Sequence, residues 1–237
     1  MDRYQRIIIK LSGEAFMGSQ DHGLCHNALS QIAHQISKLQ KYNCQVGVVI
    51  GAGNLFRGLQ KSQELQIERI HSDEIGMLST LINGIALKDA LIKIGTKVHL
   101  ITGLECPRIA ESYQVDRVIE YLSMGEVVLF VGGIGHPYFT TDTNAALRAC
   151  EIHADILFKA TMHVDGVFDK NPSQHMNAKI YHQISFQEIL KKELAIMDFS
   201  AITMCMQAKI PIRVFNFNKV SLTDALLDKS LGTLISG

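Results

Sequence analysis

The sequence predicts an α/β fold, a three-layer sandwich with a mainly parallel central sheet, and three observations carry that expectation. β-branched and apolar runs recur along the chain, stretches with helical periodicity separate them, and glycines gather where the runs end. Strands that are apolar on both faces occur where crossover helices cover a parallel sheet from both sides. The 237 residues are read as one domain, 1–237, with approximate lobes 1–154 and 155–237 sharing the sheet, because no repeat or low-complexity linker divides them.

Ile7-Ile8-Ile9-Lys10-Leu11 is the first strand, closed by Ser12-Gly13. From Asn27 a helix follows, with apolar or small residues at 29, 32, 33, 36 and 39 forming one stripe. Gln45-Val46-Gly47-Val48-Val49-Ile50 is the second strand and ends at Gly51-Ala52-Gly53. Residues 72–94 form a helix with Ser72 as its cap and Asp73 and Glu74 in its first turn. Then come a strand at 97–101, a helix at 116–124, a strand at 126–131, a helix at 141–153 and a strand at 155–160. Beyond Val164 the order loosens. Asp165-Gly166 and Asn171-Pro172 mark turns, Ser185 and Glu188 read as a capping box, and 212–216 is a further short strand.

Lysine and arginine number 23 and aspartate and glutamate 23, so the formal net charge is zero and any bound anion must be held at a local site. General nucleic-acid binding is excluded on that ground. The start, Met1-Asp2-Arg3-Tyr4-Gln5-Arg6, is polar, and the apolar stretch behind it is broken by Lys10, Ser12 and Glu14, so no secretory signal is expected. Apolar runs such as 127–131 are shorter than the roughly 18 residues a membrane span needs. Cys25, Cys44, Cys106, Cys150 and Cys205 are odd in number and include no Cys-x-x-Cys pair, as reduced thiols in a cytoplasm would be. His22, Cys25 and His26 have a zinc-like spacing, but no second pair supplies the other ligands.

Ligands of open parallel sheets sit beyond the carboxyl ends of the strands. Ser12-Gly13, Gly51-Ala52-Gly53, Gly132-Gly133-Ile134-Gly135 and Asp165-Gly166 all fall there, and turns of small residues let backbone N–H groups approach phosphate oxygens. Four such turns on one rim indicate a nucleotide or phosphate site. No G-x-x-x-x-G-K-[ST] motif is present, and Gly51-Ala-Gly53-Asn-Leu-Phe56 lacks the third glycine of a dinucleotide fingerprint. Phosphoryl transfer needs cations that clamp the migrating group, and Lys10, Arg57 and Lys159 suit that role. Lys10 and Lys159 stand near strand ends, where a charge is expected to face a ligand. Arg57 offers a planar fork to a phosphate. Asp142 could orient a lysine or a hydrated magnesium ion. The residues alone leave open a kinase of another small carboxylate or carbamate acceptor, or a non-catalytic nucleotide sensor.

Taken together, Ile7-Ile-Ile-Lys-Leu-Ser-Gly-Glu-Ala15, Val48-Val-Ile-Gly-Ala-Gly-Asn-Leu-Phe-Arg-Gly58, Gly76-Met-Leu78, Pro137-Tyr-Phe-Thr-Thr-Asp142, Val164-Asp-Gly-Val-Phe168 and Pro211-Ile-Arg-Val-Phe-Asn216 resemble the bacterial uridylate kinases of the amino acid kinase fold. The resemblance implies transfer of the ATP γ-phosphoryl group to UMP in pyrimidine nucleotide biosynthesis, with 1–154 as the acceptor lobe and 155–237 as the ATP lobe. It implies that Lys10, Leu11, Ser12, Gly13, Gly53, Arg57, Thr161, Met162, Phe168 and Asn171 bind ATP. Ala52, Asp73, Ile134, Gly135, His136, Pro137, Tyr138, Phe139, Thr140 and Thr141 are the implied UMP residues, and Lys10, Arg57, Asp142 and Lys159 the catalytic ones. It further implies magnesium carried on the nucleotide phosphates with no direct protein ligand, a homohexamer, inhibition by UTP and activation by GTP through Gly18, Ser19, Gln20, Asp21, His22 and Gly23.

The chain departs from the family pattern at several positions. Ala52 replaces a usual glycine, which requires a φ outside the left-handed region. The stretch Thr161-Met162-His163 is one residue longer than usual, so either Thr161 or Met162 contacts adenine. Asn171 replaces an aspartate and His136 an asparagine.

Overall fold

The computed structural model describes residues 4–56 and 66–237. Nine strands form one sheet in the order β4-β3-β5-β2-β1-β6-β10-β11-β9, where β1 is Arg6–Leu11, β2 Gln45–Ile50, β3 Val98–Thr102, β4 Glu111–Ser112, β5 Val127–Val131, β6 Ile156–Thr161, β9 Gln183–Ser185, β10 Ile212–Asn216 and β11 Thr233–Ser236. Every pairing in it is parallel except β10 with β11. A separate antiparallel pair joins β7 (Val167–Phe168) to β8 (Ile180–Tyr181). The expected α/β sandwich is therefore present. The very short strands are ones the sequence does not announce.

The pleat of β1 divides the core. Ile7, Ile9 and Leu11 face a cluster built with helix α1 (His26–Gln40), the long α2 (Arg69–Lys93) and α7 (Leu222–Leu227). Ile8 faces the opposite cluster, built with α3 (Val115–Ser123), α4 (Thr141–Glu151), α5 (Phe186–Lys191) and α6 (Phe199–Ala208). Lys10 alternates with Ile9 and Leu11, so it emerges on the second face.

The helix boundaries bring two corrections. α2 begins three residues before the expected cap: Glu68 is the N-cap, and Ser72 lies fully buried inside the helix. Glu188 does not complete a box with Ser185. The Ser185 hydroxyl accepts from Glu188 N at 3.1 Å, while the Glu188 carboxylate turns to Lys192. The reciprocal box is formed instead by Ser221 and Asp224 at the start of α7. By length and composition α2 could cross a bilayer, but it lies on the sheet with Met77, Leu81, Leu87 and Leu91 in the core.

Candidate active site

Parallel pairing places Lys10 of β1 directly beside Lys159 of β6, so the two ammonium groups leave adjacent strands at the same level and on the same face. That face is covered by α4. Thr140 caps the helix, its hydroxyl accepting from Asp142 N at 3.0 Å, and Asp142 in the first turn reaches both lysines. Lys159 Nζ is 2.5 Å from Oδ2 and Lys10 Nζ 2.9 Å from Oδ1, and all three side chains keep no more than 14 % of their exposure. The Lys10 contact is an ion pair without hydrogen-bond alignment, which leaves Oδ1 a buried oxygen with no hydrogen-bonded donor.

Burial acts most strongly on Asp142 and works to raise its carboxyl, but the two lysines overcome it and hold the group at about 2, below the ordinary 3.8. Burial also lowers Lys159, against the opposing pull of Asp142. Two cations share one carboxylate, so one positive charge is left over for an incoming anion, and the N-terminus of α4 adds its own positive end. Asp198, the N-cap of α6, supports this arrangement: it accepts from the Thr140 hydroxyl, from Thr143 Oγ1 at 2.9 Å and from Ala201 N at 2.8 Å. An aspartate ahead of an apolar helix was legible as a cap, but not as a partner of a helix more than fifty positions away.

The glycine turns of the rim meet in space. A Cβ on Gly13 would stand 2.2 Å from Gly53 N, so the turn after β1 touches the turn after β2 backbone to backbone. Ala52 is outside the left-handed region, which meets the condition for alanine there. Beside these turns lies a cavity of about 260 Å³ lined by Ala52, Gly53, Phe56, Arg69, Asp73, Thr80, Gly133, Phe139, Thr140 and Thr141, among others. Asp73 Oδ2 accepts from Tyr138 N and from Arg69 Nε, both at 2.8 Å, and so ties the 134–141 loop to α2. Of the implied UMP residues, Ala52, Asp73, Phe139, Thr140 and Thr141 line this cavity. Ile134, Gly135, His136, Pro137 and Tyr138 do not, although Tyr138 N binds Asp73, which does. Arg69 and Thr80 are additional lining residues that no sequence motif signalled, and Phe56 lies in the Val48–Gly58 motif, which gave it no role.

A second cavity, of about 470 Å³, is lined by Val164, Phe168, Asn171, Pro172 and residues 192–196, among others. Of the residues that the resemblance gives to ATP, Phe168 and Asn171 line this cavity. Thr161 and Met162 do not line it. The Thr161 hydroxyl donates to Val164 O and Phe215 O, at 2.5 and 3.2 Å, and Met162 packs toward the α1 face, so the wall is supplied by Val164. Arg57 lies outside the described residues. Residues 18–23 form an exposed turn whose Gly23 N donates to Asn54 O at 2.9 Å.

No group of three metal-ligating side chains occurs among the described residues. A single buried carboxylate already paired with two lysines does not make a protein cage, so a magnesium ion would be held by nucleotide phosphates.

The profile of the amino acid kinase family matches residues 5–216. The uridylate kinase of Chlamydia pneumoniae is 44% identical over 232 residues, covering 98% of this chain and 94% of its own. That of Protochlamydia amoebophila is 45% identical over 234 residues, with 98% and 92% covered. The chain belongs to the uridylate kinases of the amino acid kinase family. Its fold agrees: the crystal structure of UMP kinase from Bacillus anthracis superposes with a TM-score of 0.94 at 32% identity, covering 99% of this chain and 97% of that one. UMP kinase from Ureaplasma parvum gives 0.93 at 33% identity, with both chains covered in full.

Proposed function

We propose that the protein transfers the γ-phosphoryl group of ATP to UMP, giving UDP and ADP, and thereby serves pyrimidine nucleotide synthesis. The observation that carries this reading is the Lys10–Asp142–Lys159 cluster, whose carboxylate directly follows Thr140 and Thr141 of the cavity that holds Asp73; a second cavity holds Phe168 and Asn171. The acceptor lobe, 1–154, supplies the first cavity and the ATP lobe, 155–237, the second.

A UMP phosphate oxygen attacks the γ-phosphorus while the bond to the β–γ bridging oxygen breaks, and that electron pair leaves on ADP. The acceptor phosphate is already anionic, so no general base is required and rate comes from alignment and charge neutralisation. Lys10 faces the transferring group, Lys159 shares Asp142 with it, and Asp142 keeps both ammonium groups in place. Magnesium, carried on the nucleotide, would neutralise phosphate charge without a direct protein ligand. Arg57 belongs to this reading as a phosphate clamp.

Leu78, Ile82, Ile85 and Ile92 on α2 are about half exposed, which supports assembly of copies into a homohexamer, and GTP activation through residues 18–23 and UTP inhibition belong to the same reading. Cytoplasmic residence fits the five free thiols.

The deciding experiment measures ADP release with ATP, magnesium and, in turn, UMP, CMP, acetylglutamate, aspartate and carbamate. UMP is expected to exceed every other acceptor. An acid substrate that outruns UMP overturns the reading in favour of a carboxylate kinase, and no turnover with any acceptor favours a nucleotide sensor.

A further inference from the structure

Asn54 and Asn83 form a closed carboxamide pair beneath the acceptor cavity, and the phosphoryl chemistry above does not use it. Asn54 Nδ2 donates to Asn83 Oδ1 at 2.9 Å, and Asn83 Nδ2 returns a bond to Asn54 Oδ1 at 2.7 Å. The second proton of each amide is also engaged: Asn54 Nδ2 donates to Gly23 O and Asn83 Nδ2 to Gly51 O, both at 2.8 Å. Both residues are buried, at 2 % and 0 % exposure. A carboxamide has two donor protons, so all four are spent, and a fully satisfied buried network of this kind is rigid.

Its consequence follows from peptide planarity. Holding the Gly51 carbonyl toward Asn83 in the core fixes the plane of the 51–52 peptide, and the Ala52 N–H must then point the opposite way. Ala52 lines the acceptor cavity, and its nitrogen lies against Gly13, where the two glycine turns touch. At the other end Asn54 grips the exposed turn twice, because Gly23 N also donates to Asn54 O at 2.9 Å.

We propose that Asn54 and Asn83 are positioning residues that aim the Ala52 N–H at the acceptor phosphate and couple that turn to residues 18–23. The proposal rests on the reading of the protein as a UMP kinase. It extends that reading by naming what sets acceptor affinity and by giving the exposed turn a path into the site.

The test uses the full chain. Replacing only Asn83 orphans one Asn54 amide proton and Asn54 Oδ1 and can cost stability, whereas replacing both by leucine, which is close in shape, removes all four bonds and leaves only the Gly23 and Gly51 carbonyls without these partners. The double variant Asn54→Leu/Asn83→Leu is expected to stay folded and to raise KM for UMP about tenfold, the loss of roughly one aligned hydrogen bond, with KM for ATP changed by less than about twofold. A KM for UMP within about twofold of the parent, or an equal rise for both nucleotides, overturns it. Gly23→Ala, strained at φ 86°, should raise KM for UMP in the parent and by less in the double-leucine background, where only the backbone bond to Asn54 O remains. Additive effects overturn the coupling. Parent turnover with UMP separates this outcome from failure of the functional reading. Were that turnover absent, hydrogen exchange still decides: faster exchange at residues 51–54 in Gly23→Ala supports the coupling and unchanged exchange overturns it. Should the double variant not fold, Gly23→Ala alone carries the same comparison.

Discussion

On the acceptor side, the turns that face the cavity are bolted to α2 by side chains without solvent access. On the donor side, the walls hang largely from a two-stranded ladder and exposed turns. Asn83 holds Gly51 O, and Thr80, 1 % exposed, accepts from Gly132 N at 2.7 Å. Gly84 lets α2 lie so close that a Cβ there would stand 2.4 Å from Val131. Around the second cavity, β7 pairs only with β8, Asn171 spends its side chain on Ser173 in an exposed turn, and Asp165 meets Lys219 on the surface. Thr233, which holds Val167 N at 2.8 Å, and Asn216, which donates to Asp165 Oδ1 at 2.9 Å, are buried ties on that side. Recognition that must tell one acceptor from its analogues benefits from groups fixed in advance, because a misplaced donor then stays unpaired. The donor side has more freedom to adapt.

The largest effect should come from the seam between the two regions. Lys10→Ala is expected to lower kcat by a factor on the order of 10³ with an unchanged circular dichroism spectrum, since it removes charge stabilisation of the transferring group. Near-normal turnover would remove Lys10 from its assigned role. Next in size is Thr80→Val, which keeps the shape but leaves Gly132 N unbonded; KM for UMP should rise about tenfold, with KM for ATP little changed. A rise confined to ATP would reverse the contrast between the two sides. Phe168→Ala should raise KM for ATP several-fold and leave KM for UMP alone, which nucleotide titrations in pairs would establish.

Asp142 supplies a pH test. Its carboxyl is held at about 2 against an ordinary 3.8, so the folded state binds its proton less readily than the unfolded chain does. The stability it contributes is present above about 4 and lost as the pH falls toward 2. Acid unfolding of Asp142→Asn should lack that segment of the curve. The smallest effect is expected at His163, whose Nε2 lies 2.7 Å from Glu14 Oε2 but whose side chain is 75 % exposed. His163→Ala should change neither KM by more than about twofold, because an exposed ion pair contributes little.

Strand ends, the glycine turns and the two lysines were legible because each is a local violation of pattern: a charge in an apolar run, or small residues where a run stops. Asn83 and Thr80 were not, since in sequence they are polar positions on a mostly apolar helix and nothing nearby states which carbonyl or amide they will meet. Asp198 was hidden for the same reason. Thr161 and Met162 show the converse limit, where the sequence places a residue near the adenine wall but side-chain direction depends on which backbone carbonyls its hydroxyl finds.

By itself, the sequence determined the alternation of strands and helices, the neutral overall charge and the family, because periodicity, composition and motif order are properties of the chain read locally. Only the tertiary structure decided that Lys10 and Lys159 share one level of the sheet, that Asp142 arrives between them from α4, and that Asn83 turns a glycine peptide outward. Strand register and helix packing bring together residues that lie far apart along the chain, and the electrostatics of a buried site depend on those distances.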